Sequence, residues 1–84
     1  MPEEVIGRVT DFFAQPVVAG IELTAVLEVG DKIHIVGHTT DLELVVDSMQ
    51  INNVNVEQAK AGDLVGVKVS DRVRREDTVY KVTE

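Results

Sequence analysis

The protein has 84 residues, of which 44% are hydrophobic, with no cysteine and a formal net charge of −7. This length fits one domain with one core, so we expect residues 1–84 to form a single domain. The lack of cysteine excludes disulfides, thiol nucleophiles and cysteine-ligated metals, and no apolar run approaches the roughly 18 residues of a membrane span. The N-terminal MPEEVIGRV carries no basic or apolar leader, so we expect a soluble, cytoplasmic protein that contacts no membrane.

The charges are unevenly distributed along the chain. Residues 1–59 carry two basic and ten acidic residues, whereas residues 60–84 carry six basic and five acidic ones. The overall negative charge argues against binding nucleic acid by bulk electrostatics. The basic residues near the C-terminus leave two interpretations open, a solvated surface that keeps the protein soluble and a localised contact patch.

The first part of the chain predicts a β-hairpin. Residues 5–13 mix β-branched, aromatic and polar residues as a strand does, and Gly7 within them indicates a bulge or bend. Pro16 cannot donate to a β-ladder, so the chain is expected to turn there. The returning strand, residues 17–25, places alternate residues on the core face: Val17, Ala19, Ile21, Leu23 and Ala25.

Two similar stretches, LEVGDKIHIVG at 27–37 and AKAGDLVGVKV at 59–69, each contain a Gly-Asp turn followed by a strand. Glycine permits positive φ, and aspartate forms a local side-chain hydrogen bond, so both turns are expected to be sharp. The strands that follow cover residues 32–36 and 64–70. Their predicted core residues are Ile33 and Ile35 in one, and Val65, Val67 and Val69 in the other.

The remaining segments complete an antiparallel barrel. Residues 42–51 read as one long strand with a β-bulge near Asp47 and Ser48, because the apolar positions change parity there. Residues 52–60 are irregular, with at most one helical turn at 56–61. A charged loop at 71–77 leads to a closing strand at 78–83, with Tyr80 and Val82 in the core. We therefore predict an all-β fold, a single six- to seven-stranded antiparallel β-barrel.

The sequence predicts no catalytic site, cofactor or nucleotide site. It contains neither GxxxxGK[ST] nor GxGxxG, its acids are scattered, and Ser48 and Ser70 lack a GxSxG-like turn. The two histidines, His34 and His38, lie on the same outward face about 13 Å apart along a strand, too far to share a metal. A bend at Gly37 would bring them closer together, and Asp41 with them. We expect no metal and no enzymatic activity.

Two surface stretches are candidate contact sites. Arg72, Arg74 and Arg75, with Lys68 nearby if the last strands pair, are predicted to bind RNA phosphates, although the neighbouring Asp71, Glu76 and Asp77 could neutralise them.

The second candidate is a corner formed by Phe12, Phe13 and Pro16, predicted to bind a partner, with a core role for at least one of the two phenylalanines as the alternative. The oligomeric state is expected to be a monomer or a weak homodimer paired through an edge strand, the first or the last.

The motifs also carry a family resemblance. IGRV, LEVGDKIHIVG, EQAKAGDLVGVKV and RVRREDTVYKV resemble the second, β-barrel domain of translational GTPases of the elongation factor Tu and elongation factor 1-alpha type, in free-standing form, over residues 6–82. Around HTTD and VDSMQI the chain is more similar to the barrel at the C-terminus of the collagenase-like peptidase family, which includes RNA-hydroxylation proteins. Stand-alone proteins of this kind are called translation elongation factor-like.

The resemblance implies a translation-factor barrel without GTPase activity, because the GTP-binding motifs are missing. It implies an accessory module that binds transfer RNA or ribosomal RNA. The alternative is a protein-interaction module that docks on a larger protein, as the barrel of those GTPases packs on its neighbouring domains.

Overall fold

Antiparallel β-strands make up the regular structure of the chain in a computed structural model, which describes residues 3–14 and 17–82. Among these residues the strands are β1 (Glu3–Ala14), β2 (Val17–Leu23), β3 (Leu27–Glu28), β4 (Lys32–Val36), β5 (Asp41–Val45), β6 (Met49–Ile51), β7 (Val54–Val56), β8 (Gln58–Ala59), β9 (Leu64–Lys68) and β10 (Thr78–Val82). Across these described segments, no helix is long and apolar enough to cross a membrane.

Eight of the strands form one antiparallel sheet in the order β5-β4-β10-β1-β2-β9-β6-β7, and β3 pairs with β8 in a two-stranded ribbon. Buried side chains from both halves of this order form one hydrophobic cluster, so the sheet curls around a single core. The all-β, antiparallel prediction is confirmed. The described residues contain more strands than the six to seven predicted, because residues 41–59 hold four short strands.

The predicted core faces of three strands are confirmed. Alternate residues of each strand are buried in the common cluster. They are Ala19, Ile21 and Leu23 in β2, Ile33 and Ile35 in β4, Val65 and Val67 in β9, and Val69 directly after β9. The predicted bend at Gly7 is also confirmed, since the β1–β10 register shifts between Val5 and Gly7.

The two Gly-Asp turns have the same geometry. Gly30 and Gly62 have φ values of 99° and 94°. Asp31 Oδ2 accepts a hydrogen bond from the backbone N–H of Glu28 at 2.9 Å, and Asp63 Oδ2 accepts one from that of Lys60 at 3.0 Å. The strands before the turns, β3 and β8, pair with each other. The repeat in the sequence is therefore a repeated structural unit.

The long strand predicted at 42–51 is wrong, because the chain leaves one half of the sheet and enters the other. β5 pairs with β4, whereas β6 pairs with β7 and β9. Buried Val46 lies at the crossing, where its N–H donates to Asp31 O at 2.9 Å and its carbonyl accepts from Gly30 N–H at 2.8 Å. The change of parity marks this crossing rather than a bulge. Residues 56–61 contain β8 instead of a helical turn.

The predicted core residues of the last strand are also wrong. Val79 is fully buried opposite Ile35, whereas Tyr80 and Val82 are only partly buried on the other face. The expectation that the first or last strand forms an edge of the sheet is also wrong. β1 and β10 pair with each other and each has a second neighbour, so the edges of the described sheet are β5 and β7.

Candidate functional site

The loop of residues 71–77, here called the arginine loop, is fastened to β1. The Val73 side chain is buried in the core, and Asp77 is only 4% exposed. Asp77 Oδ2 accepts a hydrogen bond from the Arg74 N–H at 2.8 Å. The Val9 N–H donates to Asp77 O at 2.8 Å, and Val9 O accepts from Glu76 N–H at 2.7 Å. The backbone that carries the three arginines is therefore held in place by the core and by β1.

The arginine side chains remain exposed above this backbone. Arg75 forms an ion pair with Asp11, with Nη2 3.4 Å from Oδ1. Within residues 3–14 and 17–82, Arg72 and Arg74 form no salt bridge. The flanking acids do not neutralise them, because Asp71 and Asp77 accept hydrogen bonds from backbone N–H groups instead. Two of the three predicted RNA-binding arginines thus present guanidinium groups without an acidic partner in the described structure.

The three arginines and Phe12 line a shared depression of about 530 Å³. Lys68 does not join them. It lies at the end of β9, which pairs with β2 and β6, and it lines depressions with Gln50 and with Ser70 that contain none of the arginines. The predicted proximity required β9 and β10 to pair, and they do not.

The two phenylalanines have different environments. Phe12 is partly buried and packs against the core, whereas Phe13 is 53% exposed on the opposite side of β1. The alternative of a core role thus fits Phe12, and the predicted partner site retains Phe13. Pro16 lies outside the described residues.

Phe13 forms an apolar face with Val18 and Leu64, which is 61% exposed. These residues line a depression of about 480 Å³ with Gly66, Gln50 and the Asn52–Asn53 turn, and no charged side chain of the described residues lines it. Sequence reasoning missed Val18 and Leu64. The sequence did contain a signal for both. Each is an apolar residue on the outward face of a strand whose core face already carries aliphatic residues.

The Asn52–Asn53 turn holds β6 against β7 beside the apolar face. Both residues have positive φ, 53° and 65°. A two-residue hairpin loop with positive φ at both positions matches the right-handed twist of the strands, and asparagine tolerates this conformation. One wall of the depression is therefore a tight hairpin.

A third group surrounds His34 on β4. His34 Nδ1 lies 2.7 Å from Glu3 Oε2, and Nε2 lies 2.5 Å from Asp41 Oδ1. The carboxylate of Asp41, followed by that of Glu3, raises the pKa of the His34 imidazole above its ordinary value, because both stabilise the protonated ring. His38 is exposed in the following turn and makes none of these described contacts. The bend at Gly37 brings Asp41, but not His38, to His34.

Comparisons with known proteins identify relatives by sequence and by structure. No protein-family model matches the chain. The chain is 51% identical over 80 residues to an uncharacterized protease of Methanocaldococcus jannaschii, a match that covers 94% of this chain and 20% of that protein. The chain therefore spans about a fifth of the length of this relative.

Two solved structures share the fold. The C-terminal domain of a U32 peptidase from Geobacillus thermoleovorans superposes with a TM-score of 0.88 at 16% identity, covering 95% of this chain and 93% of that one. The selenomethionine variant of that domain superposes with a TM-score of 0.85 at 15% identity, covering 90% of this chain and 96% of the variant. The collagenase-like part of the resemblance is thus confirmed at the level of fold. The chain has the fold of the C-terminal domain of a U32 peptidase and is similar in sequence to one fifth of a larger protein named as a protease.

Proposed function

We propose that this chain is a non-catalytic module that docks, through the apolar face of Phe13, Val18 and Leu64, onto the remaining part of a larger, protease-like protein. The match to one fifth of the M. jannaschii relative supports this occupant, because that protein has further chain for the module to pack against. The proposal of a non-catalytic role rests on the sequence, which contains no GxSxG-like turn and no nucleotide-binding motif.

The observation that carries the proposal is an exposed, uncharged depression with large apolar side chains at its rim. Exposed apolar patches on soluble domains mark interaction surfaces. Covering a side chain the size of Phe13 or Leu64 contributes about 1.5–3 kcal/mol when burial is complete. The uncharged lining lowers the desolvation cost of a mainly apolar contact.

The test is binding in trans to the M. jannaschii relative from which the matching stretch has been deleted, measured by calorimetry after circular dichroism has shown that the deletion variant is folded. We expect a complex that Leu64→Asp weakens at least tenfold. Val45→Asp is the matched control, because Val45 is 50% exposed and lies on edge strand β5, outside the apolar face. Equal loss of binding in both variants, or no complex with wild type, contradicts the proposal.

A second candidate, RNA binding, is favoured by a separate observation. Arg72 and Arg74 form no salt bridge among the described residues, and they line a depression together with Phe12. The depression therefore offers guanidinium groups for phosphate and an aromatic ring for a base. The resemblance to translation-factor barrels directs this candidate toward transfer RNA or ribosomal RNA.

Fluorescence anisotropy with labelled transfer RNA at low salt tests the RNA candidate. Arg72→Glu combined with Arg74→Glu is expected to weaken binding strongly, and the salt slope of the remaining binding is expected to fall by about 1 for each phosphate that the variant no longer contacts. Lys32→Glu combined with Lys60→Glu changes the net charge equally at other exposed positions and is expected to leave most of the affinity. If both double variants bind alike, or wild type does not bind, the candidate is wrong.

A further inference from the structure

Three carboxylates and one imidazole converge on the outer face of the sheet. His34 on β4 lies opposite Glu43 on β5, and Asp41 begins β5. Glu3 comes from the start of β1, with β10 between it and β4. One ligand atom from each of Glu3, His34 and Glu43 lies within 4.8 Å of the others. Four side chains from three strands therefore share one small surface area.

The charge of this cluster is not balanced by basic side chains. Elsewhere in the described structure, three acids pair with an arginine or lysine: Asp11 with Arg75, Glu22 with Arg8 and Asp31 with Lys81. Among the described residues, Glu3 and Asp41 pair only with His34, and Glu43 forms no salt bridge. Three negative charges thus face at most one positive charge. A bound divalent cation would match this excess.

We propose that the cluster binds a divalent transition-metal ion of the Zn²⁺ type, with His34 Nδ1 and the carboxylates of Glu3 and Glu43 as ligands. The donor set fits such an ion, because imidazole nitrogen and carboxylate oxygen are zinc ligands, whereas a calcium ion prefers oxygen alone. Asp41 is the positioning residue. Its Oδ1 lies 2.5 Å from Nε2, so it accepts the N–H of that nitrogen, fixes the tautomer and leaves Nδ1 available.

The geometry needs only a small rearrangement to hold the ion. Ligand atoms about 2.0–2.2 Å from a zinc ion lie roughly 3.0–3.5 Å from one another. His34 Nδ1 and Glu3 Oε2 are 2.7 Å apart, so they separate slightly as the ion replaces the proton between them. His34 and Glu3 have side chains that are 20% and 29% exposed, which leaves an approach for the ion and its remaining water ligands.

Titration of chelator-treated protein with Zn²⁺, followed by calorimetry and by the ring ¹⁵N shifts of both histidines, tests the proposal. We expect one site, with the Nδ1 resonance of His34 shifting on binding. His34→Ala and Glu43→Gln each weaken binding at least tenfold, and Asp41→Asn weakens it about tenfold through loss of the orienting carboxylate. His38→Ala is the matched control and binds as wild type does. Ca²⁺ is expected to bind much more weakly than Zn²⁺.

Equal Zn²⁺ affinity in wild type and His34→Ala, a shift of His38 instead of His34, or no binding at millimolar Zn²⁺ overturns the site. Stronger binding of Ca²⁺ than of Zn²⁺ overturns the role of the imidazole. Glu43 is exposed at edge strand β5, so Glu43→Gln keeps the test valid even if His34→Ala unfolds the protein.

Discussion

At the scale of single residues, Gly37 and Asp77 control the attachment of the arginine loop. A Cβ atom at Gly37 would overlap the Asp77 carboxylate. That carboxylate cannot simply move away, because it is buried and accepts the Arg74 N–H that holds the loop. The tight packing of these two residues therefore links the end of β4 to a loop that is distant in the sequence.

Gly37→Ala is predicted to lower the free energy of unfolding by about 1–3 kcal/mol, the cost of leaving a buried polar partner unsatisfied. Urea unfolding followed by circular dichroism measures the change. The control is Gly66→Ala, where the added Cβ meets only Val18 Cγ1 at 3.3 Å. Equal stability of the two variants would show that Asp77 relaxes without losing its hydrogen bond.

At the scale of elements, the Asn52–Asn53 turn sets the register of β6 and β7 and forms a wall of the apolar face. Asn53→Val is predicted to lower the free energy of unfolding by about 1–2 kcal/mol, because a β-branched residue is strained at a φ of 65°. Thermal unfolding measures the change. Asn55→Val, in extended conformation within β7, is expected to cost much less. An equal cost at both positions would mean that side-chain contacts, rather than backbone strain, decide the result.

Core faces are predictable where most apolar residues share one parity, as in β4, where Ile33 and Ile35 alternate with Lys32 and His34 and only Val36 has the other parity. β10 offers apolar residues on both parities, so its core face depends on the pairing of Val79 with Ile35 in a distant strand. The crossing at Val46 was not predictable either, because the local sequence does not indicate that β5 and β6 pair with different strands.

The candidate sites were predicted only in part. The three arginines share one loop, so their sequence spacing suffices to bring them together. Leu64 and Phe13 line one depression because β2 lies between β1 and β9. Glu3 contacts His34 because only β10 separates β1 from β4. These residues come together through the order of the strands in the sheet, and that order cannot be predicted from the spacing of residues in the sequence.

At the scale of the whole molecule, the excess of negative charge opposes the compact state. At about 10 mM salt the Debye length, about 30 Å, is comparable to the molecular dimensions of 32 × 24 × 20 Å. Raising the salt concentration to about 200 mM screens this repulsion. The melting temperature is therefore predicted to rise by a few degrees, as measured by calorimetry.

Replacing Asp47 and Glu57 by lysine tests the cause. The two side chains are exposed, and each replacement changes the charge by two units, so the formal net charge changes from −7 to −3. The double variant is expected to show a flatter salt dependence. A wild-type melting temperature that falls with salt would instead indicate that the surface ion pairs dominate.

The pairing of β1 with β10 gives the fold a property relevant to its use in larger proteins. Glu3 and Val82 are cross-strand partners, so the two ends of the described chain lie side by side. Adjacent ends favour circular permutation and insertion, because a new link or a host loop need span only a short distance. The module can therefore be inserted into a single surface loop of a host protein, as well as attached at one end, with little rearrangement of the host.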